Sequence, residues 1–450
     1  MNAASTKLSS GKPLSGKPLS WIQRYQAGGI VVLAAVVLVV LPLLLEPFRL
    51  NLVGKYLTYG FVAIGLVMLW GWGGVLSLGQ GVFFGLGGYA MAMFLKLEAS
   101  DPESTKIQST PGIPDFMDWN QVTALPWWWE PFRSLPFALA AVVLVPALLA
   151  FVIGYAMFKR RVGGVYFAII TQAVALILSV LIIGQQGFTG GVNGITDLRT
   201  LLGWDIRTDS ARTVLYYLSA GLLLAAIVAC RWVQMSKLGT LLLAMRDKED
   251  RVRFSGYDVA MFKVFVFCLS AALAGIGGAL FTLQVGFMSP SFVGIVPSIE
   301  MVIYAAVGGR MSLVGAVYGA LIVNAGKTFF SESFPDLWLF LMAALFIGVT
   351  MAFPDGLAGL WQKHVAPRLD RLRRGRGARG VEASGPMRPS SAAAAPTAVA
   401  PAAAAPVVAA PVAAAAAVAP PSAASVSAPL AATPPHGPLS FDPATGPQTP

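Results

Sequence analysis

Charged residues are scarce in this chain: Asp, Glu, Lys and Arg supply 12% of its 450 residues, about half the share of a globular protein. Apolar residues supply 56%, a balance that a soluble core of this length does not produce. Cysteine is almost missing. Cys230 and Cys268 both fall in or at the end of apolar runs, and no CxxC or Cys/His cluster accompanies them. That argues against a disulfide framework or a metal site and leaves them as small packing residues. The two histidines, His364 and His436, lie outside every apolar run, so no His-based acid–base or triad arrangement is available inside a membrane. A Walker-type G-x-x-x-x-G-K-[ST] is also missing, which excludes ATP hydrolysis by that route. A membrane enzyme is disfavoured for want of catalytic side chains. The formal charge of +11 invites a nucleic-acid partner, but the basic residues sit in short flanks of apolar runs and in the tail, where they read as topology signals.

What the chain has in quantity is long apolar runs. They predict an all-α polytopic membrane protein of about ten transmembrane helices. The runs are Gly28–Leu45, Leu57–Trp72, Gly79–Leu95, Ser134–Phe158, Gly164–Ile183, Val214–Cys230, Val264–Leu283, Ile295–Val307, Leu313–Asn324 with its extension to Phe330, and Leu337–Phe353. Residues 1–27 form a basic arm expected to be disordered, and 28–361 the membrane domain. Residues 362–380 form a basic juxtamembrane segment, and 381–450 an Ala/Pro-rich tail with too little apolar surface to offset its chain entropy. The basic arm, Lys159–Arg161, the loop 235–263 and Arg368–Arg379 fall on one side, which the positive-inside rule makes cytoplasmic for both termini. The acidic loop 96–133, ending in the aromatic anchor Trp127–Trp129, falls on the other side.

The charge-rich loop predicts one amphipathic helix from Leu238 to Phe254. Glu249→Arg253 and Asp247→Arg251 stand at i,i+4, Leu238, Leu241, Leu242, Met245 and Val252 lie opposite, and Gly256 follows as a stop. Such a helix, held between two spans, is placed to press on a soluble partner; a solvated connector is the plainer alternative. Ionisable residues within spans are costly, and only Glu300 and Lys327 fall there by the apolar pattern. Glu300 is a candidate half-helix acid, or a plain cap on an aqueous face. Glycines crowd two regions that share a pattern, Gly73-Gly74-x-x-Ser77-Leu78 and Gly308-Gly309-x-x-Ser312-Leu313. They predict glycine-broken helices lining a path, with Gly73, Gly74, Ser77, Gln80, Gly81, Tyr89, Asn193, Gly308, Gly309 and Ser312 as candidate substrate contacts.

At these residues the chain resembles the permease subunits of the branched-chain amino acid and urea class of ATP-binding-cassette importers. The matching stretches are Gly73–Gly81 leading to Gly87–Ala90, Gly164–Thr171, Thr189–Thr196, Ala244–Asp247 with Arg253–Gly256, Ser270–Ala271 with Ala274–Gly275, Val307–Gly309 and Phe353–Leu357. Relatives often show His where this chain has Gln80. Within the class, Pro114–Met117, Leu125–Trp129, Arg253–Tyr257 and Pro335–Phe340 most resemble the urea-type permease. The resemblance implies a transport subunit of a bacterial inner (plasma) membrane importer, with urea as solute; a branched-chain amino acid is the alternative. A self-sufficient channel or secondary carrier is the reading from another class. The resemblance further implies a second related permease, two ATPase subunits and a periplasmic binding protein as partners, with the lipid bilayer around them. It implies no cofactor in this chain, ATP and Mg being held by the ATPases. It assigns ATPase coupling to Ala244, Met245, Arg246, Asp247, Arg253, Gly256 and Tyr257, and binding-protein docking to the outer loop.

Overall fold

The structure is a computed structural model that describes residues 28–360, apart from 104, 107 and several positions between 338 and 355. Expectations for the basic arm, for most of the Leu337–Phe353 span and for everything beyond 360 lie outside the described residues. Within them, helices dominate: α1 (Gly28–Leu44), α2 (Pro47–Trp72), α3 (Gln80–Ala99), α4 (Leu135–Lys159), α5 (Gly164–Gly184) and α6 (Asp209–Met235) come first. The loop helices α7 (Lys237–Asp247) and α8 (Glu249–Phe254) follow. Then come α9 (Val259–Val285), α10 (Ile295–Gly308) and α11 (Leu313–Ser333), with a short α12 (Gly356–Leu360) closing the described chain. Seven of these are long and apolar enough to cross a membrane; α1 and α10 are shorter apolar helices.

The core is built around α9, which packs against α2, α3 and α4. Small residues make that approach possible: Gly277 lies against Phe61 and the Thr58 carbonyl of α2, and Gly278 and Gly275 against the backbones of α3 and α4. Phe61, Phe83, Phe84, Phe267 and Phe281 fill the remaining space and are fully or almost fully buried. The outward faces of α4, α5 and α6 stay apolar, with Leu148, Tyr166, Ile177 and Val228 exposed, as surfaces suited to lipid or to another subunit.

Several boundaries differ from the apolar pattern, and Lys55 and Lys96 are among the cations that fall inside helices as a result. Helix α2 begins at Pro47, where proline's fixed φ and missing N–H suit a first turn, so Lys55 lies within it. There its ammonium sits 5.6 Å from the Phe281 ring centroid. Helix α3 runs on to Ala99 and includes Lys96, which is 5% exposed. Lys96 donates to Asp115 at 2.9 Å and to the Thr196 carbonyl at 3.1 Å, tying the long outer loop to the bundle. The loop helix is broken in two: Lys248, at φ −151° and ψ 86°, separates α7 from α8. Asp247 consequently pairs with Arg246 at 3.1 Å, while the Glu249–Arg253 pair forms at 3.2 Å as the spacing predicts.

Candidate functional site

The two glycine-rich breaks come together at the end of the bundle that carries the loop. Helix α2 widens over its last turns, Val67–Trp72, into i→i+5 hydrogen bonding and stops at Gly73. Gly74 follows at φ +71°. The chain then runs without helix to Gln80, with the Leu78 N–H donating to Thr171 Oγ1 of α5 at 3.1 Å. The second break lies between α10 and α11: Gly309 has φ +116°, and Ser312 caps α11 by accepting from the Gly315 N–H at 3.1 Å. The breaks touch. A Cβ built on Gly71 would fall on the Arg310 carbonyl, and the Arg310 guanidinium lies 5.9 Å from the Trp70 ring centroid.

Arg246 of the loop reaches into this junction. It donates to the Gly71 carbonyl at 2.8 Å and lies 2.9 Å from Met311 Sδ, and its stem occupies the space that a Gly74 side chain would need. The rest of the predicted coupling set divides by direction. Met245 is buried, whereas Ala244, Asp247, Arg253, Gly256 and Tyr257 are exposed, beside a Phe254 that is 91% exposed. Gly256 has φ +86°, as a stop at the end of α8 requires. The loop is anchored by Lys263, which donates to Glu249 at 2.7 Å. Asp258, which caps α9, accepts from Lys159 at 2.7 Å, and that hydrogen bond holds its carboxyl below the usual range.

Of the predicted path residues, Gly73, Gly74, Gly308, Gly309 and Ser312 belong to the breaks, while Gln80, Gly81 and Tyr89 follow along α3. Ser77 and Gln80 are fully buried, and the Gly81 N–H donates to Ser298 Oγ of α10 at 3.0 Å. Both amide atoms of Gln80 and the hydroxyl of Tyr89 are buried without a hydrogen-bond partner among the described residues. Buried amides left unmade cost about 1–3 kcal/mol each, which marks Gln80 as a group held ready for something other than its neighbours. Asn193 lies apart from these residues, exposed in the turn before the Ile195–Met288 bridge, at the opposite end of the bundle from the breaks.

Glu300 is neither a lone acid nor a plain cap. Both its carboxylate oxygens accept from Lys327 of α11, at 2.9 and 2.8 Å, and the Tyr304 hydroxyl lies 3.5 Å from it and 3.3 Å from Asn324. Sequence reading missed Lys55 and Lys96 because it ended each span at the first charge. A helix continues regardless, and the outer-loop acids near Asp115 were the available signal for Lys96. The loop 96–133 also folds back further than an anchor would: Trp129 Nε1 donates to the Phe188 carbonyl at 3.1 Å, while Trp127 stays 78% exposed.

Among known proteins, the chain is 26% identical over 345 residues to the high-affinity branched-chain amino acid transport system permease protein LivM of Salmonella typhimurium, covering 72% of each chain. It is 26% identical over 322 residues to LivM of Escherichia coli, covering 66% of this chain and 67% of that one. A probable branched-chain amino acid transport permease protein LivH of Methanocaldococcus jannaschii is 25% identical over 251 residues, 52% of this chain and 76% of its own. No solved structure matches. Residues 48–350, from the first turn of α2 into the tenth apolar run, match the family of branched-chain amino acid transport system permease components, and the chain belongs to that family.

Proposed function

We propose that the chain is the transmembrane permease subunit of an ATP-driven importer of branched-chain amino acids. It works with a second related permease, two ATPase subunits and a periplasmic binding protein, in a bacterial inner membrane with both termini cytoplasmic. The observation that carries the reading is family membership over residues 48–350. The loop adds to it, being exposed on one side and joined to the helix breaks on the other. The path is proposed to run past Gly73, Gly74, Ser77, Gln80, Gly81, Tyr89, Gly308, Gly309 and Ser312.

The urea reading gives way to its alternative. It rested on outer-loop motifs and on the lack of charges to match an amino acid, with Glu300 taken as a lone acid. The relatives named above are branched-chain amino acid permeases. Glu300 in fact pairs with Lys327 through both carboxylate oxygens and is not a lone acid. Uptake by the reconstituted complex, with labelled leucine and labelled urea in parallel, tests the assignment. Binding-protein-dependent uptake of leucine is expected; urea uptake with leucine excluded would overturn it.

A further inference from the structure

We infer that Arg246 is a strut that carries motion of the loop helix into both glycine breaks at once. The inference rests on the permease reading above and names a residue that performs the coupling.

The chemistry begins with a helix end. The last carbonyls of a helix have no partner within it and carry its negative partial charge, so a cation placed there is stabilising. At the end of α2, the Gly73, Gly74 and Val75 N–H groups turn back to Met68, Trp70 and Leu69, which leaves the Gly71 carbonyl to be met from outside. The group that meets it comes from 175 residues away: Arg246, by one terminal nitrogen, at 2.8 Å. The same nitrogen lies 2.9 Å from Met311 Sδ in the second break. The other side of the guanidinium donates to Asp247 Oδ1, at 3.2 and 3.1 Å, which fixes the plane of the fork.

The side chain is also wedged. Gly74 lies against its stem, with Arg246 Cγ 2.9 Å from where a Cβ would stand. The breaks are themselves fastened together, Gly71 lying against the Arg310 carbonyl. A displacement of α7 therefore cannot leave either break where it was, since one side chain touches both and they touch each other. Arg246 thus reaches into the bundle while its side chain stays 32% exposed. The surface left for the ATPase is the opposite one, with Ala244, Phe254 and Tyr257 exposed. Arg246 is a positioning residue, acting between that surface and the path.

Two measurements on the full complex test this. The first compares Arg246→Met and Arg246→Lys with wild type for ATP hydrolysis stimulated by the binding protein and for leucine uptake. Lys237→Met, which removes an exposed cation from the same helix, is the control. Arg246→Met keeps the apolar stem, so the chain should assemble, while stimulation and uptake fall about tenfold, as loss of one charged hydrogen bond implies. Arg246→Lys should recover part of both. Wild-type stimulation in Arg246→Met would overturn the inference. The second measurement leaves Arg246 intact: spin labels at Thr240 and Leu76 should keep their separation between the resting and vanadate-trapped complexes. A separation that changes with nucleotide state would overturn it too. A wild-type complex that binding protein fails to stimulate, or that takes up no leucine, would instead count against the permease reading itself.

Discussion

Neutralising either member of the Glu300–Lys327 pair should cost far more than neutralising both. The pair joins α10 to α11 at 2.8 Å within the apolar part of the bundle, with side chains 17% and 33% exposed. Removing one partner of a buried pair leaves an uncompensated charge, at about 3–5 kcal/mol for full burial. Partial exposure argues for the lower end, about 2–3 kcal/mol, close to the insertion cost of a lone charge. The double variant restores neutrality and should lose only about 1 kcal/mol, giving a coupling of about 3–5 kcal/mol in the cycle. The assay is equilibrium unfolding in mixed micelles, read for wild type, both singles and the double. If the single costs simply add in the double, the pair contributes nothing as a pair, and α10 must be held to α11 by packing alone.

Four further outcomes follow from the same geometry. Gly71→Ala should destabilise the chain by about 2–3 kcal/mol, because its Cβ falls on the Arg310 carbonyl, while Gly221→Ala, with open space around it, should unfold like wild type in the same assay. Gly256→Val should leave the chain in the membrane but abolish stimulated ATP hydrolysis, since valine resists the φ of +86° that ends α8; unchanged stimulation in the reconstituted complex would remove the loop from the coupling route. Hydrogen bonds from Arg199 and then Arg207 hold the Asp197 carboxyl below its usual range, so its contribution is whole above the unfolded value, about 3.9, and fades as pH falls through the lower folded value. Hydrogen exchange over residues 197–207, corrected for intrinsic rate, should therefore be flat from pH 7 to 5 and rise only in stronger acid. Truncation after Gly380 should leave membrane insertion and leucine uptake near wild type, as measured by blotting and transport.

The spans were legible because burial in lipid demands long apolar runs, and a run such as Gly164–Ile183 has no competing explanation. Helix ends were less so. Lys55 and Lys96 broke the apolar pattern, yet backbone hydrogen bonding must continue at membrane depth, and each cation found a local partner: the Phe281 ring for one, Asp115 for the other. The loop helix was legible down to its stop at Gly256. Its break at Lys248 was not, because Val252 keeps the apolar stripe running across the break and neither Gly nor Pro marks the turn. Residue type grouped Asn193 with Gln80, though Asn193 is exposed and Gln80 fully buried. Pairings between distant elements, such as Arg246 with Gly71, leave no periodic trace at all.

The repeated Gly-Gly-x-x-Ser-Leu pattern carries a different meaning in space from the one it carries in sequence. Two related halves would use the two copies alike, and they do not. Ser312 directly caps α11, which begins at the next residue. Ser77 caps no helix: its hydroxyl accepts from the Gly79 N–H, at 3.4 Å, and α3 begins later, at Gln80. The first copy is therefore separated from its helix by Gly79 and held to Thr171 through the Leu78 N–H, while the second runs straight into helix. What the copies share is the way they end a helix, at Gly73 and Gly308, with a positive-φ glycine next in line. Each such ending turns the chain sharply and frees carbonyls at the helix terminus. Two helices ended in this way can meet end to end, with Gly71 against Arg310, at a junction small enough for one arginine to span. The pattern repeats because the same turn is needed twice at one place, and Arg246 is the side chain that joins the two turns to the loop.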